Sequence, residues 1–260
     1  MAEVIVTVSG KGGVGKTTAT ANIGMALASM GLKILLIDGD VGLRNLDISL
    51  GIQDRIVYHF NDVINGMCSA DSAIVKDEKY IGLCYLAAPQ NITGAEVNKE
   101  GFKEMVDKLR PRFDYIIIDC AAGIDDSFSM CAGAADKALI ITTPELISIR
   151  DADRVAERLE SMGITTVYLI INRINIDMIK KGDMIDIDTI IGTVAVPLIG
   201  AVPEDVGIII SNNKGRPLVL RPRTRAGTAF LNIAKRLTGE KVPIMADEKK
   251  GFFSFFARKR

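Results

Sequence analysis

Short runs of consecutive apolar residues alternate along the chain with stretches whose apolar positions recur every three or four residues. The runs are Val4 to Val8, Lys33 to Asp38, Ile81 to Ala87, Tyr115 to Asp119, Lys137 to Thr142, Val167 to Asn172 and Leu198 to Val202. Most are rich in Ile and Val and have no polar alternation, the pattern of strands buried on both faces of a parallel sheet. Thr18 to Met30, Lys99 to Leu109, Ile149 to Met162 and Thr224 to Leu237 predict helices between them. Alternating strands and helices predict an α/β fold: a doubly wound, mostly parallel sheet flanked by helices. In the apolar run Thr189 to Val202, Gly192, Pro197 and Gly200 predict a turn followed by a strand. No internal repeat or low-complexity linker precedes about residue 245, so one domain is expected over residues 1–245, followed by a tail at 246–260.

Composition narrows the class. The 260 residues are 48% hydrophobic and 25% charged, ordinary material for a globular domain with a sizeable core. A formal net charge of zero argues against a generally basic nucleic-acid binder. Met1 to Val8 runs straight into the first strand without the charged start and cleavage site of a secretory signal, and no stretch reaches 18 consecutive apolar residues. Cys68, Cys84, Cys120 and Cys131 have no C-x-x-C spacing and read as free thiols of a reducing compartment.

The first strand leads into Ser9 to Thr18, SGKGGVGKTT, in which Gly10, Gly15, Lys16 and Thr17 complete the pattern G-x-x-x-x-G-K-[ST]. Strand, glycine-rich loop and helix in that order form a phosphate-binding loop, the P-loop of nucleotide triphosphatases. Gly10, Gly12, Gly13 and Gly15, with Val14 between them, let backbone N–H groups turn toward a triphosphate. Lys16 can reach the β and γ phosphates, the Thr17 hydroxyl can ligate Mg²⁺, and Thr18 continues the loop into the helix. The loop therefore predicts a nucleoside triphosphate with Mg²⁺ as cofactors. Lys11 is surplus to such a loop, and a second ammonium beside Lys16 would be repulsive without further negative charge.

In open α/β sheets the chemistry sits beyond the carboxyl ends of the strands. The second strand closes on Asp38-Gly39-Asp40, two carboxylates able to serve the water shell of a metal and to orient an attacking water; as an Asp-Gly pair they also suit a plain turn. Tyr115 to Asp119, YIIID, places Asp119 at the end of a dry strand, where a carboxylate can accept hydrogen bonds from metal-bound water. His59 is the only histidine and lies far from these motifs, so no general-base histidine is at hand and a packing or surface role suits it.

The tail is unlike the rest. Four of the nine phenylalanines, Phe252, Phe253, Phe255 and Phe256, fall in the last nine residues. At about 100° per residue they share one arc of a helix, with Ser254 and Arg258 opposite and Lys249, Lys250, Lys259 and Arg260 at the ends. That outline suits an amphipathic helix lying in a membrane interface, with the terminal cations snorkelling. A terminal helix docked on the core and a disordered tail are the other readings.

With these motifs the chain resembles the deviant P-loop ATPases of the MinD and ParA type, which share K-G-G-V-G-K-T-T. The resemblance narrows to the MinD-like ATPases of bacterial division-site placement through V-G-L-R-N-L-D, A-G-I and the E-K-K-G-F of Glu248 to Phe252. It covers the whole chain and implies that the nucleotide is ATP and that Lys11 reaches across a homodimer, formed with ATP, to the partner's phosphates. It also implies that Lys11, Lys16 and Asp40 carry catalysis, Asp40 positioning water in a first switch segment and Asp38 supporting the metal indirectly. Asn172 and the Pro203-Glu204-Asp205 loop would contact the base, although Asn after a strand and Pro-Glu-Asp at a helix start are also frequent as caps. Asp151 and Asp153, in R-D-A-D, would face the interface and partners, or be solvated helix charges. Such proteins reside in the cytoplasm and peripherally on the inner face of the cell membrane. They recruit a MinC-like septum inhibitor and are released when a MinE-like or other topological factor stimulates hydrolysis; no sequence-specific nucleic acid is expected. Relatives carry Ser-Pro-Ala-Gly in the second switch, where this chain has Cys120-Ala121-Ala122-Gly123. Three alternatives share parts of the pattern. A ParA-type segregation ATPase would replace the aromatic tail by basic patches. A nitrogenase-reductase-like electron carrier would need a second cysteine in a Gly-rich context, and a small-molecule kinase would need neither Lys11 nor the tail.

Overall fold

The computed structural model describes residues 1–77, 80–221 and 224–244. Its strands are β1 (Glu3–Val8), β2 (Ile34–Gly39), β3 (Val75–Lys76), β4 (Leu83–Leu86), β5 (Tyr115–Cys120), β6 (Lys137–Thr142), β7 (Val167–Ile174) and β8 (Leu198–Pro203). The helices are α1 (Lys16–Ser29), α2 (Leu46–Leu50), α3 (Phe60–Ile64), α4 (Ala70–Ala73), α5 (Lys99–Leu109), α6 (Asp126–Gly133), α7 (Leu146–Ser161), α8 (Ile176–Lys181), α9 (Ile187–Val194), α10 (Val206–Asn213) and α11 (Arg225–Leu237).

The strands form one sheet in the order β3-β4-β2-β5-β1-β6-β7-β8. Every neighbouring pair is parallel except β3 with β4, where a two-residue antiparallel edge closes the sheet. Uninterrupted apolar strands require cover on both sides. Val4, Val6, Leu35, Ile37, Ile116 and Ile118 face the layer of α3 to α7 and α9, while Ile5, Ile34, Leu36 and Ile117 face α1, α2 and α11. On the first side Phe60 and Phe102 meet edge to face, ring centres 5.1 Å apart.

Register places the chemistry. Asp38 stands opposite Asp119, and Thr7 opposite Asp119, so the ends of β2, β5 and β1 bring three polar side chains to one edge of an otherwise apolar sheet.

Three expectations are corrected. Thr189 to Val202 does end in a strand, β8, but helix rather than turn leads up to it: Ile187–Val194 is α9, capped by Asp186, which accepts from the Thr189 N–H at 2.9 Å. Its buried positions Ile187, Ile190 and Val194 keep helical spacing, and Gly192 sits where nothing approaches within 4 Å. The strand expected from Ile81 starts at Leu83, since Ile81 is 93% exposed and Gly82 takes a left-handed φ of 106°. The helix expected from Ile149 starts one turn earlier, at Leu146. The tail helix expected over 246–260, with Lys249, Lys250, Phe252, Phe253, Phe255, Phe256 and Arg258, lies outside the described residues. Among the described residues no helix is long and apolar enough to cross a membrane.

Candidate nucleotide-binding site

The loop between β1 and α1 is built by glycine. Gly13 and Gly15 take left-handed φ of 82° and 93°, which L side chains resist. At Gly15 a Cβ would also lie 2.3 Å from Asn172 Nδ2, and at Gly10 one would lie 2.5 Å from Asp151 Cβ. The end of β7, at Asn172, and the second turn of α7, at Asp151, thus lie against the loop. Gly15 caps α1 with no side-chain hydrogen bond, and no acidic residue occupies the first turn, so the leading N–H groups and positive end of the helix dipole remain open to an anion.

Behind the loop lies a buried charge cluster. Lys16 Nζ is 3.0 Å from Asp119 Oδ1, with the side chains 7% and 1% exposed. The Thr20 and Thr7 hydroxyls also donate to Asp119 Oδ1, at 3.1 and 3.3 Å, while Asp119 Oδ2 is buried without a partner. Burial pulls the Lys16 ammonium toward lower pKa, but the Asp119 carboxylate, with Cys120 and Asp40, outweighs it and holds the group above its ordinary value. Asp38 is fully buried; its carboxylate accepts from the N–H groups of Asp40 and Leu46, both at 3.0 Å. Burial and the neighbouring Asp119 push its pKa up to about 7. Burial also raises Asp40, opposed by Lys16 and reinforced by Asp119 and Asp125.

A cleft of 780 Å³ opens in front of this cluster. Gly12, Gly13, Gly15, Lys16, Thr17, Thr18 and Asp40 line it. Lys11 does not: its Nζ lies 3.2 Å from Glu145 Oε2, at the entrance to α7. Asn172 is buried and its Nδ2 donates to Val14 O at 2.8 Å, which ties β7 to the loop; its Oδ1 has no partner. Pro203 ends β8, the Glu204 N–H donates to Ile174 O at 3.0 Å, and Asp205 caps α10 by accepting from the Gly207 N–H at 2.7 Å; none of the three lines the cleft. His59 caps α3, its Nδ1 accepting from the Asp62 N–H at 3.3 Å.

Some cleft residues carried no signal in the sequence. Ile92, Thr93 and Gly94 form a wall from the segment between β4 and α5, and Asp125 and Ser127 contribute from the start of α6. Arg173, in a left-handed conformation (φ 58°) at an irregularity of the β7–β8 pairing, reaches the rim; its position next to Asn172 was the available clue.

A mostly parallel sheet with this loop after a central strand, a buried lysine–aspartate pair and two further carboxylates at the end of the adjacent strand defines a P-loop nucleoside triphosphatase. Residues 5–218 match the family described as "CobQ/CobB/MinD/ParA nucleotide binding domain". The chain is 48% identical over 246 residues to the septum site-determining protein MinD of Synechocystis, 94% of this chain and 92% of that protein. It superposes on the MinD of the MinC:MinD cell division protein complex of Aquifex aeolicus with TM-score 0.89 and 43% identity, covering 94% and 99% of the two chains. On MinD complexed with Mg-ADP from Pyrococcus horikoshii the TM-score is 0.83 at 29% identity, covering 91% and 96%. The chain belongs to the MinD family of septum site-determining ATPases. The segregation-ATPase alternative has less support.

Proposed function

We propose that this ATPase binds Mg-ATP in the cleft, pairs with a second copy in that state, and rests on an anionic membrane surface through residues 246–260. There it carries a septum inhibitor of the MinC kind, and a topological factor, MinE-like or other, releases it by stimulating hydrolysis. The observation that carries this reading is Lys11. A loop lysine that leaves its own cleft and meets Glu145, next in the chain to the exposed Leu146 and Ile147, is placed to face another molecule. Apolar groups around a nucleotide mouth gain by being covered.

The residues present fit the magnesium nucleotide. Open N–H groups at the start of α1 and Lys16 suit the phosphates, and the unpartnered Asn172 Oδ1 is an acceptor for a base amino group. Thr17, Asp119 and, at one remove, Asp38 would hold the metal, which when bound neutralises charge on the phosphate oxygens. The free Asp119 Oδ2 is an acceptor left over for metal-bound water. Asp40, half-buried on the cleft wall, orients the attacking water by hydrogen bonding. Catalysis is then positioning and charge stabilisation, with no histidine required.

Sedimentation with anionic vesicles in ATP, ADP and no nucleotide tests the whole reading. Binding with ATP well above that with ADP is expected, and equal binding in all three overturns it.

A further inference from the structure

We propose that the segment Pro89 to Asn98, between β4 and α5, is a positioning element that sets the distance between the two switch segments during hydrolysis. Its contacts reach the first switch segment at one end and, at the other, the start of α6, which directly follows the second. At one end Pro89 O accepts from the N–H of Gly42, two residues after Asp40, at 3.0 Å, and Gly42 has a left-handed φ of 97°. At the other, Gly94 lies against Ser127 in the first turn of α6: a Cβ on Gly94 would fall 2.3 Å from Ser127 Oγ and 3.1 Å from Ser127 N. Just beyond the segment, Lys99 Nζ is 2.5 Å from Asp126 Oδ1.

The segment is stiff between these ends. Thr93 and Glu96 form a reciprocal cap in which the Thr93 N–H and hydroxyl both donate to Glu96 Oε2, at 2.7 and 2.8 Å. These two bonds hold the Glu96 carboxyl below its ordinary pKa. Ile92, Thr93 and Gly94 line the cleft opposite the P-loop, between the wall holding Asp40 and the wall holding Asp125. Asp125 is among the charges that raise Asp40. A rigid spacer touching the first switch and the start of α6 decides whether the water held by the first switch meets the phosphate enclosed by the second. Misplacement by about 1 Å can cost on the order of a hundredfold in rate.

The inference deepens the reading of the site above, and the two fail separately. Normal turnover in Asp40→Ala removes Asp40 from the chemistry, whereas the following results concern only how the switches are held. Gly94→Ala in the full chain should leave the KM for ATP within about twofold and lower kcat by about tenfold. Adding Ser127→Gly, which removes the clashing hydroxyl, should recover about fivefold of that loss. Glu96→Ala, at an exposed position that cannot unfold the protein, should lower kcat by about threefold with KM unchanged. An unaltered kcat in Gly94→Ala and Glu96→Ala, a KM that rises in step with the loss, or no recovery in the double variant would each overturn the proposal.

Discussion

Lys16 and Asp119 meet in a buried ion pair 3.0 Å long, behind the phosphate loop. Removing one partner of such a pair strands the other in a dry site, at a cost of about 3–5 kcal/mol. Lys16→Ala should therefore lose nucleotide binding and also melt about 10 °C lower than the parent. Pairing Lys16→Met with Asp119→Asn should restore most of the melting temperature and none of the binding. Equal melting of parent and Lys16→Ala would show that the pair contributes nothing to the fold.

Lys11 behaves differently because it is exposed. Its contact with Glu145 joins side chains that are 44% and 57% accessible, so Lys11→Ala should change stability by no more than about 0.5 kcal/mol. Nucleotide affinity should stay within about threefold, while dimerisation with ATP, followed by light scattering, is lost. Equal loss of affinity in Lys11→Ala and Lys16→Ala would count against a role across an interface.

Asp40→Ala should bind ATP and dimerise, yet hydrolyse about a hundredfold more slowly, because the attacking water loses its orienting acceptor. Vesicle-bound protein should accumulate. Normal stimulated turnover would rule the residue out.

The buried carboxyl of Asp38 predicts a pH dependence. Its pKa rises on folding from 3.8 to about 7, so the folded state holds the proton more tightly than the unfolded chain. That contribution is complete below about pH 4 and is lost as pH climbs through about 7. The melting temperature of nucleotide-free protein in chelator should consequently fall by about 5 °C from pH 5.5 to pH 8, and Asp38→Asn should flatten this slope. A parent whose melting temperature rises over that range would refute it.

Fully burying four phenylalanines could contribute roughly 6–12 kcal/mol, but an interfacial helix buries each ring only in part and must first be ordered. On the proposed function one tail would be a weak anchor, whereas two tethered tails would gain about 10² to 10⁴ in avidity. Deleting residues 249–260, or changing Phe252 and Phe256 to Glu, should leave ATP-dependent dimerisation intact and abolish vesicle sedimentation. Sedimentation of the truncated chain would place the anchor elsewhere.

Much of this architecture was legible because central parallel strands are apolar without interruption: Ile34 to Ile37 and Ile116 to Ile118 can only be interior. The phosphate loop was equally plain, since its glycines, Lys16 and Thr17 fall at fixed spacing. Short helices were not, as α2, α3 and α4 span only four or five residues, too few for a period to show. Punctuation was nevertheless present for α4 and for the eight-residue α6 and α9: Ser69, Asp125 and Asp186 each accept from a backbone N–H three residues on. The wall formed by Thr93 and Gly94 left no trace in the sequence, because its importance comes from proximity to Gly42 and Ser127, which only the folded chain creates.

The pressure of Asp151 on Gly10 and of Asn172 on Gly15 has a consequence for information flow. A cradle in which Asp151 and Asn172 leave no space for a side chain at Gly10 or Gly15 has little room to shift, so a diphosphate and a triphosphate are expected to meet the same backbone. Such a seat holds its occupant without being able to report which occupant it holds. Reading the difference is then left to the walls opposite, where Asp40 and Asp125 line the cleft.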